Sequence, residues 1–477
     1  MNDLKKLKNY RCLVTMMLAS SLLAACATQP QKPITLAKAV STEQLGLTHQ
    51  VTAPISATWW TQLNDSTLNG LIEHAMQQSP DLMAVSSRLA QAQAGSDLAD
   101  SQRGMQIAIA ANGAGIYHES LSHPDSLASQ IFGDTIGYKA VQLKGKWTWD
   151  LWGEHKSELE VALGKQNATA YELAQARLLL AQAITAQYMQ LQILTAQKAI
   201  LQQRIGIKKE QEQLVLDRAK AGLLPANQRY PIQQAILQMQ VGIQDLDNKA
   251  NQIRNALANL TAQSPTALAN LTPQPIKTLP SLPTQQLTAN LIGQRADIAA
   301  QREAIYSRQQ LIHAAETKFY PNIQINALAG LSTLQIGELP SSSNLLSAIL
   351  PTVTLPIFTS GALQANLQQK QAEYNEQIAR YNKSVYQALK EAADALSNYQ
   401  TAVKMQQSQQ QMLVVAQKNQ RAIQNRIQAG LETKITLLTA RDEMLQSQSQ
   451  LLQSQLQERV GWVALNVALG GGVNLAK

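Results

Sequence analysis

The feature that most constrains this chain is a repeat. Trp147-Thr148-Trp149-Asp150-Leu151-Trp152-Gly153 aligns with Leu355-Pro356-Ile357-Phe358-Thr359-Ser360-Gly361 at an offset of 208 residues. Sixty-nine residues beyond each glycine, Arg218-x-x-x-Gly222-Leu223 aligns with Arg426-x-x-x-Gly430-Leu431. Further out, Pro80-Asp81-Leu82 pairs with Ala296-Asp297-Ile298, the offset having drifted to 216. Two anchors with one offset and one spacing indicate a diverged tandem duplication, and fold and function must be read as two copies of one plan.

Within each copy the hydrophobic period changes. Val141, Leu143, Gly145, Trp147 and Trp149 alternate with Gln142, Lys144, Lys146 and Thr148, which is the period of a strand with one apolar and one polar face. The second copy repeats this with Ile349, Val353, Leu355 and Ile357 against Thr352 and Thr354. Partner strands precede each, over about 106–118 and 322–332, joined by Ser/Pro/Gly/Asp-rich loops at 119–135 and 333–345. Four such strands, at about 106–118, 136–149, 322–332 and 346–358, suit a barrel with lipid outside and water inside. That places Gln142, Lys144, Lys146, Thr352 and Thr354 in the lumen. A pair of soluble hairpins, each burying one face, is the competing reading.

The flanks have helical period. No proline or glycine interrupts Ala362 to Ile427, and Ile378, Val385, Ala392 and Tyr399 recur every seven residues beside Leu389, Leu396 and Val403. Heptads of this kind indicate coiled-coil packing. Residues 154–216 behave similarly, through Leu180, Ile184, Leu191, Leu194, Leu201 and Ile205. At ~1.5 Å per residue such helices reach roughly 90 Å, the length of a tunnel wall and not of a globule. Each ends at an Arg-x-x-x-Gly-Leu segment and is followed by another helix (228–260 and 435–469). Gly222 and Gly430 supply a left-handed turn, and Leu223 and Leu431 the apolar contact of a helix C-cap. These tips read either as plain caps or as caps that also serve, with Arg218 and Arg426, as docking surfaces.

The N-terminus carries a basic stretch through Arg11, an apolar run from Leu13 to Ala25 and then Cys26, the pattern of a secretory signal. Leu23-Ala24-Ala25-Cys26 resembles the bacterial lipobox, which implies a lipid anchor on Cys26. By the same resemblance Ala27, where an aspartate would signal inner-membrane retention, points to the outer membrane. The alternative is an ordinary signal peptide with a chance cysteine. Three of the net +8 charges lie in the first 25 residues and the rest are dispersed, which excludes a nucleic-acid partner. Cys12 leaves with the signal, so no disulfide or thiol chemistry remains for the mature chain.

Together these features resemble the TolC family of outer-membrane efflux factors, in its lipoprotein (NodT-like) branch serving RND-type systems. The residues that carry the resemblance span nearly the whole mature chain in order. They are Trp59-Trp60-x-x-Leu63-x-Asp65-x-x-Leu68-x-x-Leu71-Ile72, Asp81-Leu82, Asp150-Leu151-Trp152-Gly153 and Arg295-x-Asp297-Ile298. Phe319-Tyr320-Pro321, Leu355-Pro356-Ile357-Phe358-x-x-Gly361, Glu391-x-x-Asp394-Ala395-Leu396 and Ala468-Leu469-Gly470-Gly471-Gly472 complete them. The resemblance implies a mixed α+β, mainly α fold. Long antiparallel coiled-coil helices would form a periplasmic α-barrel, and four strands per protomer would enter a homotrimeric twelve-stranded outer-membrane β-barrel. It also implies a periplasmic membrane-fusion (adaptor) protein and an inner-membrane pump as partners. Where the family usually has Arg-Pro-Asp, this chain has Arg295-Ala296-Asp297. At the tunnel mouth, where acidic residues are usual, it has Thr436 and Thr439.

The expected organisation is a signal peptide over 1–25, a lipid-anchored segment over 26–70, a first repeat over 71–280, a second over 281–469 and a tail over 470–477. No enzyme is expected. The six histidines lack metal spacing, with His118 and His123 the nearest to a pair, and there is no nucleophile elbow or phosphate loop. No cofactor is implied, so the duct would be passive and driven by its partners. The leading expectation is drug or small-toxin export, the nearer alternative is a duct for type I protein secretion, and the more distant one a lipid-anchored coiled-coil scaffold without a pore.

Overall fold

Each glycine that follows a strand block starts a helix, so helix and strand must alternate along the chain in two matching rounds. A computed structural model of the chain describes residues 35–39, 56–117, 135–280, 293–336 and 342–471. Cys26 with the signal, His118, His123, the first strand connection and the end of the C-terminal tail lie outside the described residues. After a 3₁₀ turn at Trp59–Leu63 come α1 (Ser66–Gln78), α2 (Pro80–Ser101), β1 (Gln106–Tyr117), β2 (Thr135–Trp149) and α3 (Glu154–Lys220). Beyond a short turn at Ala226–Gln228 follow α4 (Arg229–Leu260), α5 (Ala296–Thr317), β3 (Asn322–Ile336), β4 (Ser342–Thr354), α6 (Ala362–Gln428) and α7 (Lys434–Ala468). Helices α3 and α6 are each 67 residues long and start 208 residues apart, as the repeat anchors require.

The chain forms two units, each drawn from separate stretches of the sequence. One comprises 35–39, Ala90–Asn167 and Arg302–Arg380; the other comprises Val40–Leu89, Ala168–Gln301 and Tyr381–Lys477. The first holds the sheet, in the order β1-β2-β3-β4 and antiparallel throughout. Strands β3 and β4 depart from the expected limits. The Ser/Thr-containing segment after Leu331 stays in the ladder, with Ser332 opposite Ala140 and Thr333 opposite Lys139. Pairing of this kind is made by the backbone and does not need apolar side chains. At its far end β4 stops at Thr354, short of the expected 358, because Pro356 has no N–H to offer the ladder.

The helical unit is built around a core of Trp59, Trp60, Leu68, Ile72, Ile184, Tyr188, Leu191, Leu257 and Trp462. Asp65 explains why α1 begins where it does. Its Oδ1 accepts from Leu68 N at 3.0 Å, capping the helix, and also from the Tyr188 hydroxyl at 3.1 Å. The helix therefore starts at Ser66, inside the segment assigned to the lipid-anchored N-terminus. The heptad expectation for α6 holds at Ile378, Val385 and Ala392, all buried. The second row of the seam differs: Ala388, Ala395 and Ala402 are buried, while Leu389, Leu396 and Val403 are only half-buried. Small residues let α6 and α7 approach closely, with Ala392 and Ala395 against Leu465, Ala468 and Leu469.

Arg295 ties three distant motifs of this unit into one place. Its guanidinium donates to Asp297 Oδ2 and to Glu391 Oε2, both at 2.8 Å, and to the Ala468 carbonyl at 3.2 Å. Ala296 takes the first position of α5, where a proline is equally at home, so the departure from the family pattern leaves this arrangement intact.

Trp462 is fully buried, lies edge-on to Trp59 at 5.5 Å and donates its indole N–H to the Pro280 carbonyl at 2.9 Å. Trp462→Ala is expected to destabilise the helical unit by about 3–5 kcal/mol. Thermal unfolding followed by far-UV circular dichroism checks this, and an unchanged midpoint would contradict the packing described.

Candidate functional sites

The sheet sorts its residues by register. Ile109 faces Leu143, Val141 faces Leu331 and Leu331 faces Leu345, so their side chains share one face with Ile107, Ile349 and Val353. That face is bare: these apolar side chains range from 47% exposed at Leu143 to 78% at Leu345. Among the described residues nothing of the chain covers it. A soluble hairpin that buries one face would not leave such a patch open to water. Gln142, Lys144 and Lys146 lie on the opposite face, with Thr148, Asn326, Thr352 and Thr354. Leu328, Leu346 and Leu350 interrupt this polar face, which the period-two reading had not anticipated. Gly330 is where the sheet is tightest: a Cβ there would lie 2.3 Å from the Val141 carbonyl oxygen and 2.7 Å from Gln142 Cα.

Both tips have one geometry. Gly222 and Gly430 each take φ of +73°, the left-handed conformation that glycine alone adopts freely. Gly222 N–H reaches the Ala219 carbonyl at 3.0 Å and Leu223 N–H the Arg218 carbonyl at 2.9 Å. The second tip matches, with Gly430 to Ile427 at 2.9 Å and Leu431 to Arg426 at 2.8 Å. This pair of bonds is a Schellman cap, which satisfies the last carbonyls of α3 and α6. The leucines do not complete it as expected. Leu223 is 71% exposed and Leu431 67%, so their apolar surface is left open instead of being buried against the helix. The arginines also differ. Arg426 lies 3.4 Å from Glu432, whereas the position equivalent to Glu432 in the first tip is Leu224.

Thr436 and Thr439 lie just past the second tip. Thr433 caps α7 by accepting from Thr436 N, and Thr439 accepts from Gln211 Nε2 at 3.3 Å. One turn further on is a residue that sequence reasoning missed. Asp442 is buried with Arg204 Nε at 2.8 Å and Lys208 Nζ at 3.1 Å, both from α3. Burial pushes its carboxyl up, but the hydrogen bonds and charges of Arg204 and Lys208 outweigh that and hold it below the ordinary 3.8. A depressed carboxylate loses its stabilising effect only as pH falls through its folded value, here below about 3.8. The only available signal was the i, i+3 step from Thr439, which sequence alone could not weigh.

The described residues thus hold one antiparallel sheet with a bare apolar face and a largely polar one, and two helices of 67 residues each. The chain matches the model of the outer membrane efflux protein family over residues 71–263 and 287–471, and it belongs to that family. It is 29% identical over 429 residues to the putative multidrug resistance outer membrane protein MdtQ of Escherichia coli K12, covering 87% of each chain. To the multidrug resistance outer membrane protein MdtP of the same strain it is 25% identical over 421 residues, covering 87% of this chain and 86% of the relative. Among solved structures it resembles the outer membrane protein VceC of Vibrio cholerae, with a TM-score of 0.74 and 28% identity over 88% of this chain and all of the other. The outer-membrane channel OprN shares the fold, with a TM-score of 0.75 at 21% identity over 93% and 98% of the two chains. The protein is an outer-membrane efflux protein, mainly helical with four antiparallel strands, of a family of channel and efflux proteins.

Proposed function

We propose that this chain is the passive exit duct of a three-part export system for drugs or other small toxic compounds. The observation that carries the reading is the open sheet. Among the described residues strands β1 and β4 have one neighbour each, and lipid offers no water to satisfy the free N–H and C=O groups of an edge. Three copies contributing four strands each would close the ladder into a twelve-stranded barrel with Gln142, Lys144, Lys146, Thr352 and Thr354 on its water side. The equal lengths of α3 and α6 and the matched tips support a tandem origin, with repeats over 71–280 and 281–469 after a segment over 26–70. The multidrug names of MdtQ and MdtP favour small compounds over secreted proteins as cargo.

Purified protein in planar bilayers is expected to form stable conducting channels. Val141→Arg or Leu143→Arg places charge toward lipid at a cost of up to about 2–4 kcal/mol, and should abolish channel formation. Gln142→Arg faces water and should still conduct. Equal effects at both parities would remove the barrel.

The lipid anchor is proposed at Cys26. Asn375 supports a defined course for the segment that follows, its Nδ2 donating to the Thr35 carbonyl at 2.9 Å and its Oδ1 accepting from Ala37 N at 2.7 Å. Cys26→Ala should lose palmitate labelling and lower the amount of protein in the outer membrane; persistent labelling would refute the anchor.

The tips are proposed as the surface that meets the periplasmic adaptor, with Gly222 and Gly430 letting a partner helix come close. Leu223 and Leu431 would offer it apolar contact and Arg218 and Arg426 hydrogen bonds. Thr436 and Thr439 would line the tunnel mouth beyond, near the Arg204–Asp442–Lys208 cluster that holds α3 to α7. Docking opens such a mouth only through contacts better made in the open state. Because Leu431 is exposed, Leu431→Ser should leave assembly and melting unchanged while cells become drug-sensitive and surface cross-links to the adaptor are lost. Normal cross-linking with normal efflux would refute docking at this tip.

A further inference from the structure

The sheet unit holds a second surface that the duct reading does not use. At the end of the apolar face, where β2 gives way to α3, an open cleft of about 510 Å³ is lined by Arg103, Lys156, His313, Trp149, Leu151 and Trp152, among others. Its rim is apolar and unusually bare: Trp149, Leu151 and Trp152 are each 41–51% exposed. Trp149 lies opposite Ile323, which faces Val353, so the rim continues the apolar stripe of the sheet. The rim is also rigid. Trp152 stacks on Tyr320 with ring centroids 4.8 Å apart and donates its indole N–H to the Pro321 carbonyl at 2.8 Å. The Trp147 indole N–H in turn donates to the Arg103 carbonyl at 3.3 Å, fixing the backbone that presents Arg103.

The charge balance of the cleft is positive. Its one carboxylate, Asp150, is already committed to the start of α3, accepting from His155 N at 3.2 Å and Lys156 N at 2.8 Å. Lys156 has no ion-pair partner among the described residues. Among the described residues Arg103 pairs only with exposed Asp100, at 3.0 Å, and a surface pair of this kind yields readily to a better anion. His313 stands 3.9 Å from Glu316.

We propose that this cleft binds the headgroup phosphate of an anionic phospholipid of the periplasmic leaflet, with Arg103 and Lys156 as its cations. Aromatic side chains with an apolar body and a polar edge settle at the membrane–water boundary, and the lysine and arginine beside them meet lipid phosphate at that depth. The continuous apolar rim selects a lipid over a free anion, since only a lipid brings acyl and glycerol surface to cover Trp149 and Leu151. The lining sets two cations, Arg103 and Lys156, against one carboxylate, Asp150, and this excess favours phosphatidylglycerol over a zwitterionic lipid. This assignment rests on the sheet being inserted in the membrane.

The test is native mass spectrometry of the full-length protein, delipidated in detergent and titrated with phosphatidylglycerol or phosphatidylcholine. Wild type is expected to retain phosphatidylglycerol in preference, and Arg103→Gln and Lys156→Gln should each weaken retention about fivefold. Arg103→Lys should restore most of it, and Lys390→Gln, an exposed lysine of the helical unit, should change nothing. Both cations are surface residues, and an unchanged melting profile will show that the variants fold. Displacement by millimolar inorganic phosphate would reveal a free-anion site and overturn the proposal, as would equal retention of both lipids by all variants. Liposome flotation separates the two readings. Wild-type protein that does not float defeats membrane insertion itself, whereas floating protein without a phosphatidylglycerol preference defeats the headgroup site alone.

Discussion

A strand in lipid must find a hydrogen-bond partner for every backbone group, because hydrocarbon supplies none. Among the described residues the sheet satisfies that demand at β2 and β3 and leaves one edge each of β1 and β4 open. Much of the sheet unit follows from this one constraint. The strands stay in register past their apolar stretches, as at Ser332 and Thr333, since breaking the ladder would cost more than carrying polar side chains. Gly330 keeps the neighbouring strand close enough to pair. In the proposed barrel the apolar face turns toward lipid, which reverses the usual inside-out rule of soluble proteins.

The helical unit answers a different demand, holding very long helices together with little hydrophobic bulk. It uses a concentrated core around Trp59, Trp462, Tyr188 and Ile184, and elsewhere relies on close approach through Ala388, Ala395 and Ala402. Charge supplies specificity where bulk is absent. Arg295 links the start of α5 to α6 and to the end of α7, and Asp442 holds Arg204 and Lys208 of α3. Clusters like these are weak sources of net stability but costly to break singly, which suits elements that must keep one arrangement.

At the tips the same backbone solution occurs twice with different side-chain surroundings. The Schellman bonds satisfy the helix ends without help from the leucines, which frees Leu223 and Leu431 to face outward. Arg426 is tethered by Glu432 and the first tip has Leu224 at the matching position, so the two tips share the turn and differ in their surface. Backbone geometry is hard to vary once a left-handed glycine is required, whereas exposed side chains are free to change.

The sequence by itself determined the elements and their two-copy order. Alternation separated Val141 and Leu143 from Gln142 and Lys144, heptads marked Ile378, Val385 and Ala392, and Arg-x-x-x-Gly-Leu located both helix ends. Each of these signals is local, because residues two, three, four or seven apart already report which face they occupy. The strand limits were less legible: β4 begins in a Ser-rich stretch that composition assigns to a loop, and only pairing with β3 keeps it extended. Tertiary structure alone decided which residues meet across long separations. It brought Asp442 to Arg204, Arg295 to Glu391 and Trp152 to Tyr320, and it left Leu223 and Leu431 bare where their motif implied burial. Burial and ion pairing depend on what the rest of the chain places nearby, and local pattern carries no record of that.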